Sequence, residues 1–424
     1  MNTVTQTLAS LLSRPILEDD RARAATLLLD WTGCAVAGRA EPAGVKIAAT
    51  FAGETGQCTR IGGASASAQM AALHNGCLGN VLEMDDVDKR AVLHAAPTVI
   101  PAALAMAEHV KTDRESLLNS IVVGYEATIR VGRAVGPGHY AFWHNTATCG
   151  PFGAAAAACY LLPGSDLVSA LGLAGTQAAG LWQTRHEPDS MAKQLHAGHA
   201  AQVGVQSALL SAQGFQGPRT ILEGEQGFFA ALCPGADARD VLFEQESWLL
   251  HETSLKPYAA CRHAHPAIDA ALMADDDGGD IIVRTYADAL KFCDRPDPDR
   301  VIAAKFSLQH AVAVALDKGV PDLSDFEQDA VLRHALTRRR IRVLEDADFN
   351  AAYPAHYGAS VEVGGQLFTA TDALGDPEVP MHETQVRDKA TTLMTHGGMT
   401  RTAAETLIQE ALGGTLDAYC KALP

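Results

Sequence analysis

Five islands of the 424-residue chain combine titratable side chains with glycine, proline or other small residues. The first, EMDDVDKRAVLHAAP, carries Glu83, Asp85, Asp86, Asp88, Lys89, Arg90 and His94, then runs into the apolar TVIPAALAMAEHV. The others are GHYAFWHNTATCGPFG with His144, SMAKQLHAGHAAQVG with Lys193, SLKPYAACRHAHPAID with Lys256, Arg262 and His263, and FSLQHAVAVAL with His310. Imidazoles titrate near working pH, so His94 and His144 are candidates to take and give protons. Glu83 or Asp85 could orient one of those rings, as a carboxylate orients a working imidazole.

Lys193 and Lys256 both fall in apolar, alanine-rich surroundings, where a buried ammonium is costly without an anion beside it. A polycarboxylate ligand would supply that anion, and two ammonium groups would stabilise charge developing next to a carboxylate. Arg262 suits bidentate carboxylate binding. In an acidic protein such cations, with several histidines, form a local positive sink for a small anion. Each residue also has a plainer reading. The acidic run could be solvated surface, His94 a helix cap, His144 a core histidine beside Trp143, Lys193 a snorkelling side chain and His310 a packed ring.

The elements that must position these groups are mostly helical over the first 240 or so residues. TDRESLLNSIVVGYEATIRVGRAV opens with a possible capping box, Thr112 to Glu115, and repeats Leu117, Ile121, Tyr125 and Ile129 on one face. SDLVSALGLAGTQAAGLWQ starts at a Ser/Asp cap, and GPFGAAAAACYLL and SAQMAALHNGCLGNVL read as closely packed helices of small residues. Strand-like runs follow: DIIVRTY, RIRVLED and GASVEVGGQLFTAT, the last with Gly364-Gly365 as a two-residue hairpin turn. The pattern predicts a mainly α chain with an α+β second domain. The large helical domain covers 1–247 and is completed by helices in 386–424, and the smaller α+β domain covers 248–385.

Composition excludes several classes of function. The formal net charge is -17 and no long basic run occurs, which argues against nucleic acid and anionic membranes as partners. No signal peptide or membrane-length apolar window is expected. The nine cysteines are odd in number and scattered without a CxxC pair, as fits reduced thiols in the cytoplasm. Cys261, His263 and His265 in CRHAH lack zinc spacing and an obvious fourth ligand, and no nucleotide-binding glycine motif follows a strand.

In this order the five islands resemble the MmgE/PrpD family, whose members dehydrate 2-methylcitrate, decarboxylate cis-aconitate or epimerise iminodisuccinate. The resemblance covers nearly the whole chain, from LLLDWTGCAVAG through SMAKQLHAGHAAQVGVQSALLSAQGFQGPRTILEGEQGFF to KPYAACRHAHPAIDAAL. It implies a helical domain plus a smaller α+β domain, a cleft between them, a homodimer, and no metal or organic cofactor. Carried over by position, it marks Glu83, His94, His144, Lys193, Lys256 and His310 as functional. Three positions depart from the pattern. Glu83 stands where many members have Asp, Val87 where a Thr hydroxyl is common, and His310 where decarboxylating members have Tyr.

The resulting expectation is a cofactor-independent hydro-lyase that dehydrates a small tricarboxylate such as 2-methylcitrate. His94 and His144 form the acid/base pair, with Glu83 or Asp85 orienting one ring. Lys193 and Lys256 stabilise the dianion, and His310 donates to a substrate oxygen. Asp86, Arg262 and His263 bind substrate, the last two by clamping a distal carboxylate. The alternatives are an epimerase or decarboxylase on a related polycarboxylate, and a non-catalytic carboxylate-binding homologue.

Overall fold

The stripe Leu117, Ile121, Tyr125 and Ile129 is buried along one helix, Arg114–Ala134, in the computed structural model, which describes residues 2–187 and 189–424. The cap stands at Asp113 and not Thr112. Its carboxylate accepts from the Ser116 backbone N–H at 2.8 Å, three residues on, where an N-cap acceptor belongs. The chain divides into two compact units, Met1–Thr253 with His382–Pro424, and Ser254–Met381.

The first unit is built from helices. Ala68–Gly79, Ala96–Val110, Arg114–Ala134, Asn145–Leu161 and Ala192–Ala212 pack on one another through alanine and glycine faces that are almost wholly buried. Helix Glu18–Gly38 lies against the C-terminal helix Glu383–His396, and a Cβ on Gly33 would come within 3.2 Å of the Ala390 Cα. That glycine lets the two backbones approach closely. Residues 80–95, between Ala68–Gly79 and Ala96–Val110, form an irregular loop that is mostly buried, and it holds the acidic island.

The second unit carries a four-stranded sheet in the order β2-β1-β3-β4: β1 Ile281–Thr285, β2 Ile341–Glu345, β3 Ala359–Val363 and β4 Gln366–Ala370. β1 pairs with β2 in parallel, with Ile281 opposite Ile341, and with β3 antiparallel, with Val283 opposite Val361. Gly364 and Gly365 turn β3 into β4 with φ of 58° and 77°, as the expected two-residue hairpin requires. Helices His265–Ala271 and Leu308–Lys318 pack on this sheet and on each other. The chain is thus a large helical part plus a smaller α+β part. Among the described residues no helix is long and apolar enough to cross a membrane.

Candidate active site

The acidic loop is folded inward. Glu83, Asp85, Asp86, Asp88 and Lys89 are all buried, which discards the reading of this run as solvated surface. Glu83 has φ 60° and Val92 φ 50°, so two non-glycine residues bracket the loop in the left-handed region. Backbone strain of that kind costs of order 1–3 kcal/mol per residue and gathers at sites where geometry matters. The Asp88 and Leu93 backbones bond to each other, and Asp88 accepts from Ala91 N at 2.7 Å and from Arg133 Nη2 at 2.5 Å. These contacts close the turn that returns the chain to His94.

His94 is fixed from three sides. Its backbone N–H donates to Thr146 Oγ1 at 3.0 Å. Its Nδ1 lies 2.5 Å from the Asp86 carbonyl and 3.2 Å from Asp85 Oδ2, which in turn accepts from Asn80 Nδ2 at 2.6 Å. A proton on Nδ1 satisfies both oxygens, and neither contact involves Nε2. The Asp86 carboxylate caps helix Ala96–Val110 by accepting from Ala96 N at 3.0 Å. Burial, with the Asp85 charge beside it, pushes that carboxyl up to about 7. The structure thus places Asp86 at a helix cap, through its Oδ1.

His144 stands at the N-cap of helix Asn145–Leu161, its backbone N–H bonded to the Gly180 carbonyl at 2.9 Å. Its ring packs on Trp182 at 4.4 Å between centroids, and its Nδ1 lies 3.3 Å from His196 Nδ1. Burial first, then the charges of Lys193, His196 and His94, hold its pKa well below the ordinary 6.5. Its surroundings favour the neutral ring, and His94 and Lys193 are near enough to act on it. Lys193 and His196 come from the first turns of helix Ala192–Ala212, and the Lys193 ammonium pairs with the Glu83 carboxylate. A groove of about 650 Å³ opens beside His196, lined by Trp143, Leu181, Leu195 and His199 among others.

The remaining expected residues lie in the second unit, where most are committed to internal contacts. Arg262 donates to Asp376 Oδ1 at 2.5 Å, to the carbonyls of Leu374 and Ala373 at 3.2 and 3.4 Å, and to His265 Nδ1 at 3.0 Å. Its fork is occupied by Asp376, not open as a substrate clamp. His263 is sandwiched between Phe292 and Tyr357, with Nδ1 2.6 Å from the Tyr286 hydroxyl. Burial lowers it to about 4, so it is a neutral ring and no cationic clamp. His310 donates from Nε2 to the Asp325 carbonyl at 2.8 Å, and its Nδ1 accepts from Arg338 at 3.4 Å. With both nitrogens engaged, it has no proton to offer a substrate oxygen. Lys256 is 1 % exposed, and its charge bears on His263 and Cys293.

The model of the MmgE/PrpD N-terminal domain matches residues 5–240, and that of the C-terminal domain matches residues 258–413. The chain belongs to the MmgE/PrpD family. A cis-aconitate decarboxylase of Aspergillus terreus is 29% identical over 282 residues, 62% of this chain and 57% of its own length. A cis-aconitate decarboxylase-like protein of Aspergillus oryzae is 30% identical over 291 residues, 63% of this chain and 59% of its own. The human cis-aconitate decarboxylase is 27% identical over 276 residues, 59% and 56%. The match thus spans less than two thirds of these relatives' lengths.

In this MmgE/PrpD chain several site residues carry little signal in the sequence. Asn80, Thr146 and His196 lie inside the quoted stretches, but nothing in their spacing marks Asn80 as the donor to Asp85 or Thr146 as the acceptor from His94. Asp30, a lone acid in the apolar run LLLDWTGC, is the exception; its buried partner Lys389 sits in an ordinary amphipathic helix. Two groups of described residues bring metal-type donor atoms within 4.8 Å of one another: Asp85, Asp86 and His94, and His356, Asp372 and Glu378. In the first, the Asn80 amide, the Ala96 N–H and the His94 ring already engage the carboxylates. Cys261, His263 and His265 do not converge, since His265 bonds Arg262 and the Ala260 carbonyl while His263 bonds Tyr286.

Proposed function

We propose that this MmgE/PrpD protein is a lyase that acts at the carbon next to a carboxylate of a small tricarboxylate, with dehydration of a citrate-type acid as the first reading. The observation that carries it is the contrast between two imidazoles. His144 is kept neutral by burial and nearby cations, whereas His94 Nδ1 is held by the Asp86 carbonyl and the Asp85 carboxylate. Titratable groups whose environments differ in this way suit opposite proton-transfer roles.

In the forward direction neutral His144 takes the proton from the carbon α to the carboxylate. The electron pair forms the C=C bond as the C–O bond breaks, and His94 Nε2–H protonates the departing hydroxyl, which leaves as water. Asp85 stabilises the imidazolium that must exist before that transfer. Lys193, shared with Glu83, stabilises negative charge on the substrate carboxylate.

Decarboxylation is the second reading, supported by the names of the relatives. Loss of CO2 would leave a carbanion that takes its proton from the same acid. Dehydration is placed first because His310 stands where decarboxylating members carry a tyrosine hydroxyl, and the His310 ring is committed internally. The test is a proton-NMR screen of 2-methylcitrate, citrate, cis-aconitate and iminodisuccinate in deuterated buffer. Alkene signals from the first two support dehydration, and loss of CO2 from cis-aconitate supports the second reading. Folded protein that changes none of the four sinks the lyase reading.

A further inference from the structure

We infer that Lys389, on the C-terminal helix Glu383–His396, is a positioning residue that holds the acidic loop in its working shape, an inference that rests on the lyase reading above. Its Nζ donates to Asp30 Oδ1 at 2.5 Å and to the Met84 carbonyl at 2.7 Å, and all three groups are buried. Met84 is the residue between Glu83, which meets Lys193, and Asp85, which meets His94. One ammonium therefore grips the peptide that sends two neighbouring carboxylates to two different partners. The grip falls beside Glu83, whose left-handed φ of 60° a side chain rarely adopts unaided.

The anchor itself is closely packed. Helix Glu18–Gly38, which carries Asp30, meets the C-terminal helix at Gly33 and Ala390, one residue from Lys389. Burial works against the ammonium, but Asp30, Cys34 and Asp85 together keep its pKa above the ordinary value, so the charge persists. A buried ion pair is rarely better for stability than apolar residues of the same volume. A methionine would fill the Lys389 space, and what it lacks is the donor to Met84. The pair is explained by what it orients.

The test replaces both charges and keeps the volume, with the double variant Asp30→Asn/Lys389→Met in the full chain. Two readouts are taken: steady-state kinetics on whichever acid the parent turns over, and the imidazole Nδ1–H signal of His94 in protein labelled with 15N-histidine, assigned by its loss in His94→Gln. The expected result is a cooperative thermal transition near that of the parent, loss of the His94 signal, and a fall in kcat of about tenfold or more with KM within about threefold. A folded double variant that retains the His94 signal or parental kcat overturns the inference. Should the parent turn over none of the four acids, the lyase reading falls while the His94 signal still decides on Lys389. If the double variant does not fold, Asp30→Glu carries the test. It keeps the pair and shifts the ammonium by about one methylene, so a weakened His94 signal is expected, and a parental one overturns the inference.

Discussion

Asp85 Oδ2 accepts from Asn80 at 2.6 Å and stands 3.2 Å from His94 Nδ1, so an amide, a carboxylate and an imidazole form one connected chain. The chain leaves only Nε2 of His94 to act. Asp85→Asn presents an amide to a ring that needs an acceptor, and should lower kcat by about 100-fold or more, the scale of a lost acid/base function. Asn80→Ala should cost less, about tenfold, because the carboxylate stays. Steady-state kinetics with a thermal melt on each variant checks both. Parental kcat in a folded Asp85→Asn protein removes His94 from the mechanism.

Lys193 acts on two groups at once. It pairs with Glu83, and its charge adds to burial in holding the His144 pKa low. Lys193→Met removes a cation that disfavours the imidazolium, so the His144 pKa should rise toward its ordinary value. For a base that works neutral, the acid limb of the kcat/KM profile then moves to higher pH. An unmoved limb, or an unmoved His144 titration followed by NMR, contradicts the coupling.

The parts of this molecule that were legible in the sequence are those written in short spans. The crowding of Glu83, Asp85, Asp86 and His94 within twelve positions, the four-residue stripe from Leu117 and the Gly364-Gly365 turn each state their own geometry. What was not legible depends on partners far along the chain. Lys389 and Asp30 are 359 residues apart, and no local pattern joins them. The same blindness hid the partners of Arg262, whose fork points at Asp376, and of His310, whose Nδ1 faces Arg338. A lone cation or imidazole in an apolar run shows that a partner must exist. It does not show whether the partner is a substrate or another residue of the chain.

His263 offers a stability test with a definite sign. Its pKa is lowered by burial from 6.5 to about 4, so between those values the unfolded chain binds a proton that the folded chain refuses. The parent is therefore penalised as pH falls through that window, and His263→Phe, which cannot titrate, is not. The stability difference should shift toward the variant by about 2 kcal/mol between pH 7.5 and pH 4.5. Urea unfolding of both proteins at the two pH values measures it. A pH-independent difference means that burial does not lower the ring's pKa in the fold.

His310 separates a structural ring from a catalytic one. In the expected mechanism it donates to a substrate oxygen, but its Nε2–H is already given to the Asp325 carbonyl and its Nδ1 to Arg338. Phenylalanine fills the space beside Phe326 while deserting both partners, so His310→Phe should lose roughly 1–3 kcal/mol of stability, the scale of buried polar groups left without a bond. Because the ring is wholly buried, kcat should stay within about twofold of the parent at a temperature where the variant remains folded. A large drop in kcat with a parental unfolding midpoint would reverse the assignment, since it would require the ring to leave Asp325 and Arg338 when substrate binds.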